Sequence, residues 1–208
     1  MPVIVQKSIS INISLSIWSI EESLDFFLSN LRLTKNCEQR LDKLKSDEMK
    51  KQFLAVRKLI QLNGISLDSL RYSSEGIPFL KNETNISISH IKGFSSIAIS
   101  PKPVGIDIQD FRDKILSISK KFINSNERDL IDPSSIKELT LVWCIKEATY
   151  KVHRKPGLDF KDEIKIQSIS NNLSHSTVEV EKLDKKYFFE SFNITESDYI
   201  CSIVQSNE

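Results

Sequence analysis

The sequence has few cysteines, almost no net charge and no long apolar segment, and each absence narrows the functions to consider. Its three cysteines, Cys37, Cys144 and Cys201, form neither a CxxC pair nor a Cys/His spacing that suits zinc, so we expect buried free thiols in a reducing cytoplasm. The N-terminus does not resemble a secretion signal, and no apolar run has the length that crosses a bilayer. We therefore expect a cytoplasmic protein that neither is secreted nor enters a membrane.

The charges of the chain are balanced. Its 208 residues include 29 basic and 28 acidic side chains, which leaves a formal net charge of +1. This balance provides no broad positive field for nucleic acid, so any site for a polyanion must be local. Hydrophobic residues make up 39% of the chain, which is enough to form the core of one large domain or of two small ones.

Two prolines, Pro101 and Pro103, mark a boundary in the middle of the chain, because they stiffen the backbone and cannot continue a sheet ladder. Hydrophobic periodicity predicts strands over 8–17, 85–90, 95–100, 104–108, 164–169, 177–180, 187–194 and 199–204. It predicts helices over 38–62, ending at Asn63-Gly64, over 114–122, and from a capping box at 135–138 to a point before Pro156-Gly157. We therefore predict an α+β fold of two similar lobes, 1–101 and 102–208, related by a pseudo-two-fold axis, each with a long helix beside a small antiparallel sheet.

Polar side chains share one face of the strand around Asp107. The strand period of two places Gly105, Asp107 and Gln109 together, while Glu147 and Lys151 are four residues apart on one helix face. If strand and helix pack together, Asp107 and Glu147 converge on one ion. Magnesium suits such a pair, because it is a hard ion that completes its shell with water and phosphate oxygens. Spacing alone leaves a simpler alternative open, an exposed Glu147–Lys151 ion pair that contributes about 0.3–0.5 kcal/mol.

Four segments resemble motifs of the 4′-phosphopantetheinyl transferases. Val104–Ile108 and Trp143–Lys151 match the paired signature G-[IV]-D and [FW]-x-x-K-E-[AS]-x-x-K. Gly76–Leu80 and Ile86–His90 are similar to the G-K-P-x-[FL] and N-[IL]-S-H elements of the larger, two-lobed type, which activates peptide and polyketide synthases. The resemblance implies the fold of that family and transfer of the phosphopantetheine arm of coenzyme A to a serine of an apo acyl or peptidyl carrier protein. It also implies a monomer, because two lobes can form a site that shorter relatives form between subunits.

The resemblance implies a role for each matched residue. Asp107 and Glu147 match the ligands of magnesium, which manganese can replace. Gln109 stands where many relatives have a further acidic ligand, so its amide oxygen would bind the ion directly or through water, with one negative charge fewer. Lys151 matches a lysine that contacts the phosphates and stabilises the leaving 3′,5′-ADP. Lys146 precedes the metal-binding glutamate and would join the phosphate cradle.

The remaining residues that the resemblance implies would bind coenzyme A. Ser89 and His90 match residues that touch the 3′-phosphate and its neighbours. Ile77 occupies a position where the family often has a phosphate-binding lysine, and Lys81 or Arg57 would compensate, although Arg57 has an equal alternative as part of a solvated helix face.

Two further functions stay open, the first of them because of Gln109 and Ile77. The first is a non-catalytic module of the same fold that binds coenzyme A or a carrier. The second is a different magnesium-dependent phosphoryl or nucleotidyl enzyme, which the carboxylates alone would suggest.

Overall fold

The structure of this protein is a computed structural model, which describes residues 3–10, 12–81, 84–154 and 157–207. The chain divides into two units, Met1–Pro101 and Lys102–Glu208. Helices accompany antiparallel sheets in each unit, so the predicted α+β class is confirmed. The similarity of the two lobes stays a prediction. Among the described helices, none combines the length and the apolar character that crossing a membrane requires.

A four-stranded antiparallel sheet organises the N-terminal unit. Its strands are β1 (Val3–Ser10), β2 (Ile13–Ser19), β5 (Asn85–Ile91) and β6 (Phe94–Ser100), in the spatial order β1-β2-β6-β5, and a separate pair consists of β3 (Leu70–Tyr72) and β4 (Pro78–Leu80). The predicted hairpin between β5 and β6 is confirmed. Gly93 forms its turn with φ +80°, a left-handed conformation that glycine adopts without a steric penalty.

The single strand predicted over 8–17 is wrong, because the chain turns at Asn12 and returns as β2. Ser8 pairs with Ser14 and Lys7 with Leu15 in the resulting hairpin. The alternation of apolar and polar residues keeps its phase across this short turn, so periodicity could not reveal it. One residue of the alternating run, Ile11, lies outside the described residues.

The helix predicted over 38–62 is two helices. The helices of this unit are α1 (Leu24–Asn30), α2 (Lys35–Leu41) and α3 (Asp47–Leu62). Ser46 restarts the helix, because its side chain accepts a hydrogen bond from the Met49 N–H and caps α3. The predicted stop is confirmed, with Gly64 at φ +73° just after the last turn. The apolar face of α3 packs against β2 and β6 and forms the core of this unit.

A five-stranded antiparallel sheet organises the C-terminal unit. Its strands are β7 (Val104–Asp110), β8 (Ile164–Ile169), β9 (His175–Lys182), β10 (Lys185–Thr195) and β11 (Tyr199–Ser206), in the order β7-β11-β10-β9-β8. Its helices are α4 (Lys114–Ile118), α5 (Ser125–Arg128) and α6 (Ile136–His153). The helix predicted over 114–122 is shorter than expected, because a 3₁₀ turn replaces its last part at Ser119–Lys121.

Helix α6 is the central element of the C-terminal unit and packs on β7 and β11. Ser135 caps its start by accepting a hydrogen bond from the Glu138 N–H, as predicted. The predicted reciprocal capping box is wrong, because the Glu138 carboxylate accepts instead from the Asp132 N–H, 2.7 Å away. A reciprocal box does occur at Asn124 and Glu127, which cap α5.

Candidate functional site

A buried aspartate lies at the centre of a polar cluster in the C-terminal unit. Asp107, on β7, is 3% exposed. One of its carboxylate oxygens accepts a hydrogen bond from Lys151 Nζ at 2.7 Å, and the other accepts from Gln109 Nε2 at 2.6 Å. Lys151 Nζ also donates to the Ile106 carbonyl oxygen at 2.9 Å. The structure therefore brings together three of the residues that the sequence predicts for the site.

Glu147 belongs to the same cluster. It is partly buried and lies one helical turn before Lys151 on α6. Burial raises the pKa of its carboxyl group, the negative charge of Asp107 raises it further, and the charge of Lys151 lowers it in part. A cation bound near both carboxylates would offset this repulsion. The simpler alternative of an isolated surface ion pair does not describe this arrangement, because Lys151 pairs with a buried aspartate.

Close packing between β7 and α6 sets the distance between these side chains. A Cβ added at Gly105 would overlap the carbonyl oxygen of Ala148 and lie 2.9 Å from the Val152 nitrogen. Only glycine permits the strand and the helix to approach this closely. Cys144 lies in the same interface, where its thiol donates a hydrogen bond to the Asp107 carbonyl oxygen at 3.2 Å. Burial raises the pKa of this thiol well above its usual value, so Cys144 packs and is no nucleophile.

The donor set of the cluster fits a hard divalent cation. Asp107 and Glu147 provide carboxylate oxygens, and Gln109 provides an amide oxygen. Within the described residues, no three or more His, Cys, Asp and Glu side chains converge as a complete metal site. Magnesium and manganese accept such an incomplete set, because one or two carboxylates suffice when water and phosphate oxygens complete the shell. The residues present therefore fit such an ion.

Lys146 does not join this cluster, which corrects the prediction that it forms part of a phosphate cradle. Its side chain is completely buried, and its ammonium group pairs with Glu127 at 2.7 Å. It also donates to the carbonyl oxygens of Phe160 and Ile164, each at 2.7 Å. A lysine has three N–H donors, so the group has no donor left for a phosphate. Burial lowers the pKa of Lys146, and the Glu127 charge opposes that change.

A cavity of about 320 Å³ lies within the N-terminal unit. Arg57 and His90, two of the residues predicted to bind coenzyme A, line it. Arg57 is 3% exposed and donates to the Tyr72 hydroxyl at 2.9 Å, so its alternative as part of a solvated helix face is wrong. Its guanidinium group also stacks on the ring of Phe53, 3.2 Å from the centroid.

Sequence reasoning missed Arg40, a second arginine of this cavity. Its guanidinium group lies 3.7 Å from the centroid of the Tyr72 ring. The Nε atoms of Arg40 and Arg57 are buried and have no hydrogen-bond partner among the described residues. No acidic side chain is among the described residues that line the cavity, so its charge is positive. Arg40 belongs to none of the recognised motifs, and no sequence signal distinguishes it from other helical arginines.

The other residues predicted to bind coenzyme A do not line this cavity. Ser89 is buried in β5, and the strand period directs it to the face opposite His90. Lys81 is exposed just after β4, where its backbone N–H donates to the Ser69 carbonyl oxygen. The cavity therefore contains Arg57 and His90 but neither Ser89 nor Lys81.

Comparisons with known proteins agree with the motifs. Residues 103–204 match the family model of the 4′-phosphopantetheinyl transferase superfamily. Over 105 residues, the chain is 31% identical to the 4′-phosphopantetheinyl transferase gsp of Aneurinibacillus migulanus, an alignment that covers 47% of this chain and 44% of the relative. The chain therefore matches less than half the length of that curated relative. The family match includes β7 and α6, the two elements that carry Asp107, Glu147 and Lys151.

Proposed function

We propose that the protein is a member of the 4′-phosphopantetheinyl transferase superfamily, whose model matches residues 103–204, and that it transfers phosphopantetheine from coenzyme A to a serine of an apo acyl or peptidyl carrier protein. The observation that carries this proposal is the cluster of Asp107, Glu147 and Lys151. It places two carboxylates and one ammonium group on the β7–α6 interface, within the matched segment.

Each charged group of the cluster has a role in the proposed reaction. Asp107 and Glu147, with the amide oxygen of Gln109, would hold magnesium or manganese, which neutralises charge on the pyrophosphate of coenzyme A when bound. The side chain of Lys151 is 29% exposed, so its ammonium group can reach a phosphate oxygen and stabilise the leaving 3′,5′-ADP.

The transfer replaces the phosphoanhydride bond of the coenzyme A pyrophosphate with a phosphodiester link to the carrier serine. The carrier serine oxygen attacks the phosphorus that bears the pantetheine arm, and the bond from that phosphorus to the leaving 3′,5′-ADP breaks. The serine proton passes to the Glu147 carboxylate or to water beside it. Position and charge supply most of the rate in reactions of this type.

The cavity of the N-terminal unit suits the 3′-phosphate end of coenzyme A. Arg40, Arg57 and His90 surround it with positive or hydrogen-bonding groups, while Tyr72 offers an aromatic face. Charge-assisted hydrogen bonds from arginine are about twice as strong as neutral ones, which would compensate for Ile77 in place of a lysine. Arg57→Ala should raise the KM for coenzyme A at least tenfold, a change that steady-state kinetics detects.

Mass spectrometry of a carrier protein tests the activity directly. The chain, coenzyme A, magnesium and an apo carrier should yield a carrier that is heavier by one phosphopantetheine. Asp107→Asn and Glu147→Gln should each abolish the gain. Asp110→Asn is the matched control, because Asp110 lies on the same strand but on the other face, in an ion pair with Arg112. Transfer that survives both site variants would refute the assignment of the carboxylates.

A non-catalytic module of the same fold is the second candidate, and Gln109 favours it. The amide group of Gln109 donates to Asp107 and supplies no third negative charge. Such a module would bind coenzyme A in calorimetry but give no modified carrier at saturating magnesium. Two further proposals, a monomer and a cytoplasmic location, are tested by light scattering of the purified chain and by imaging of the tagged protein in its cells.

A further inference from the structure

The buried pair of Lys146 and Glu127 occupies a distinctive place in the C-terminal unit. Both side chains have almost no exposed surface, yet both are charged groups in an apolar core. All three N–H donors of Lys146 have acceptors, in α5, in the segment before β8 and at the start of β8. The Glu127 carboxylate also accepts from the Asn124 and Ile166 N–H groups. The pair therefore ties α6 to three other segments.

Such a pair needs a reason beyond stability. Well-packed apolar residues often stabilise a core as much as a buried ion pair does, because removing two charges from water is unfavourable. A buried ion pair also restrains orientation, since its hydrogen bonds are strong only within a narrow range of angles. In α6, the orientation that the pair restrains is the rotation of the helix about its own axis.

Two contacts on nearly opposite sides of α6 determine this rotation. Consecutive residues of an α-helix are about 100° apart, so Lys146 and Ala148 are about 160° apart, measured the shorter way. Ala148 meets Gly105 of β7 on one side, and Lys146 meets Glu127 on the other. Glu147 lies between them on the helix. A rotation of about 10° would move a carboxylate about 6 Å from the axis by about 1 Å, which exceeds the tolerance of about 0.5 Å for a metal site.

We infer that Lys146 and Glu127 form a buried positioning pair, which fixes the rotation of α6 and thereby the distance between Glu147 and Asp107. The inference rests on the proposed function, because it assumes that these two carboxylates bind one ion. It assigns Lys146 no contact with coenzyme A. It also gives a role to Glu127, which lies 19 residues before Lys146 and outside the motifs of the site.

Binding of Mn²⁺ alone, followed by electron paramagnetic resonance, tests the inference. Glu127→Gln is isosteric and removes only the charge, and Lys146→Met removes the ammonium group. Each should weaken Mn²⁺ binding about tenfold or more, the usual effect of losing a group that orients a metal ligand. The double variant should bind Mn²⁺ no more weakly than the weaker-binding of the two single variants, because both substitutions remove the same Lys146–Glu127 interaction. Circular dichroism verifies that each variant is folded, and Glu127→Gln decides the test if Lys146→Met does not fold.

Thr149→Val is the matched control. Thr149 is buried on the same helix, and within the described part of the chain its hydroxyl donates to the Ile145 carbonyl oxygen of its own helix, so Mn²⁺ affinity should change less than about twofold. In the transferase assay, Glu127→Gln should lower kcat more than it raises the KM for coenzyme A, since the Glu127 side chain is buried and 1% exposed.

Several outcomes would overturn the inference. One is a wild-type Mn²⁺ affinity in the Glu127→Gln variant. Another is a Lys146→Met variant in which only the KM for coenzyme A rises, which would make Lys146 a phosphate ligand. A wild-type chain that binds no Mn²⁺ would also overturn it. A wild-type chain that binds Mn²⁺ but modifies no carrier would refute the transferase alone, and the Mn²⁺ affinities of the variants would still decide the positioning role.

Discussion

Gly105→Ala should separate β7 from α6 and weaken the candidate metal site. The added methyl group would overlap the Ala148 carbonyl oxygen and lie 2.9 Å from the Val152 nitrogen and 3.0 Å from the Ala148 carbonyl carbon. Ordinary contacts between such atoms need about 3.5 Å or more. All three neighbours are backbone atoms of a helix, so no side-chain rotation relieves the overlap. The closest of them, the Ala148 oxygen, would lie 1.9 Å from the added carbon, so the helix must move by about 1.5 Å relative to the strand.

The size of the effect follows from this geometry. Excess volume in a packed core commonly costs about 1–3 kcal/mol, and a collision with helix backbone belongs at the upper end of that range. A domain with about 5–15 kcal/mol of stability remains folded after such a loss. The displacement should break the 2.7 Å contact between Lys151 and Asp107 and move Glu147 away from Asp107. We expect Mn²⁺ affinity to fall about tenfold or more.

Urea unfolding and Mn²⁺ titration measure the two effects separately. Gly64→Ala is the control, because Gly64 has φ +73° and no atom within 4 Å of the added Cβ. It should cost about 1–2 kcal/mol through its left-handed conformation and leave Mn²⁺ affinity unchanged. If the Gly105→Ala variant kept wild-type stability and wild-type Mn²⁺ affinity, the close approach of α6 to β7 would not determine the geometry of the site.

Three other predictions follow from the same contacts. The raised pKa of Glu147 means that the folded state holds the proton of this carboxyl group more tightly than the unfolded chain does. The Tm of Glu147→Gln minus the Tm of the wild type should therefore be larger at about pH 7 than at about pH 4. An equal difference at the two pH values would contradict this. Gln109→Glu should tighten Mn²⁺ binding in calorimetry by adding a negative charge beside Asp107, whereas unchanged affinity would place residue 109 outside the site. Cys144 should react with iodoacetamide only after urea is added, as mass spectrometry of the labelled chain would show, and labelling of the native chain would disprove its burial.

The elements that carry the cluster were the easiest to predict from the sequence. Strand β7 is a short alternating run, and α6 has a serine cap at its start and the sequence Pro156-Gly157 shortly after its end, so local signals determine both. The errors occurred where a short turn interrupts a regular pattern. The β1–β2 turn at Asn12 and the break before Ser46 each leave the hydrophobic period almost unchanged, and only the pairing of strands and the cap of α3 reveal them.

Long-range contacts account for what the sequence could not show about the sites. The pairing of Lys146 with Glu127 depends on α5 folding back beside α6, and the position of Arg40 depends on Tyr72, 32 residues away along the chain. Such contacts leave no periodic pattern in the sequence. The sequence around a polar helical residue does not show whether its partner is water, a substrate or another buried side chain.

Lys146 and Glu147 show why a motif alone does not assign roles to its residues. They are neighbours in one motif, and both are charged. Their surroundings differ: the Lys146 ammonium group is enclosed by three acceptors, while Glu147 keeps some exposed surface beside Asp107. Consecutive helical residues face different directions, so one can anchor the helix in the core while the next reaches the site. A motif for a helix-borne site can therefore contain both residues that face the site and residues that hold the helix in the core, and their burial and partners distinguish the two.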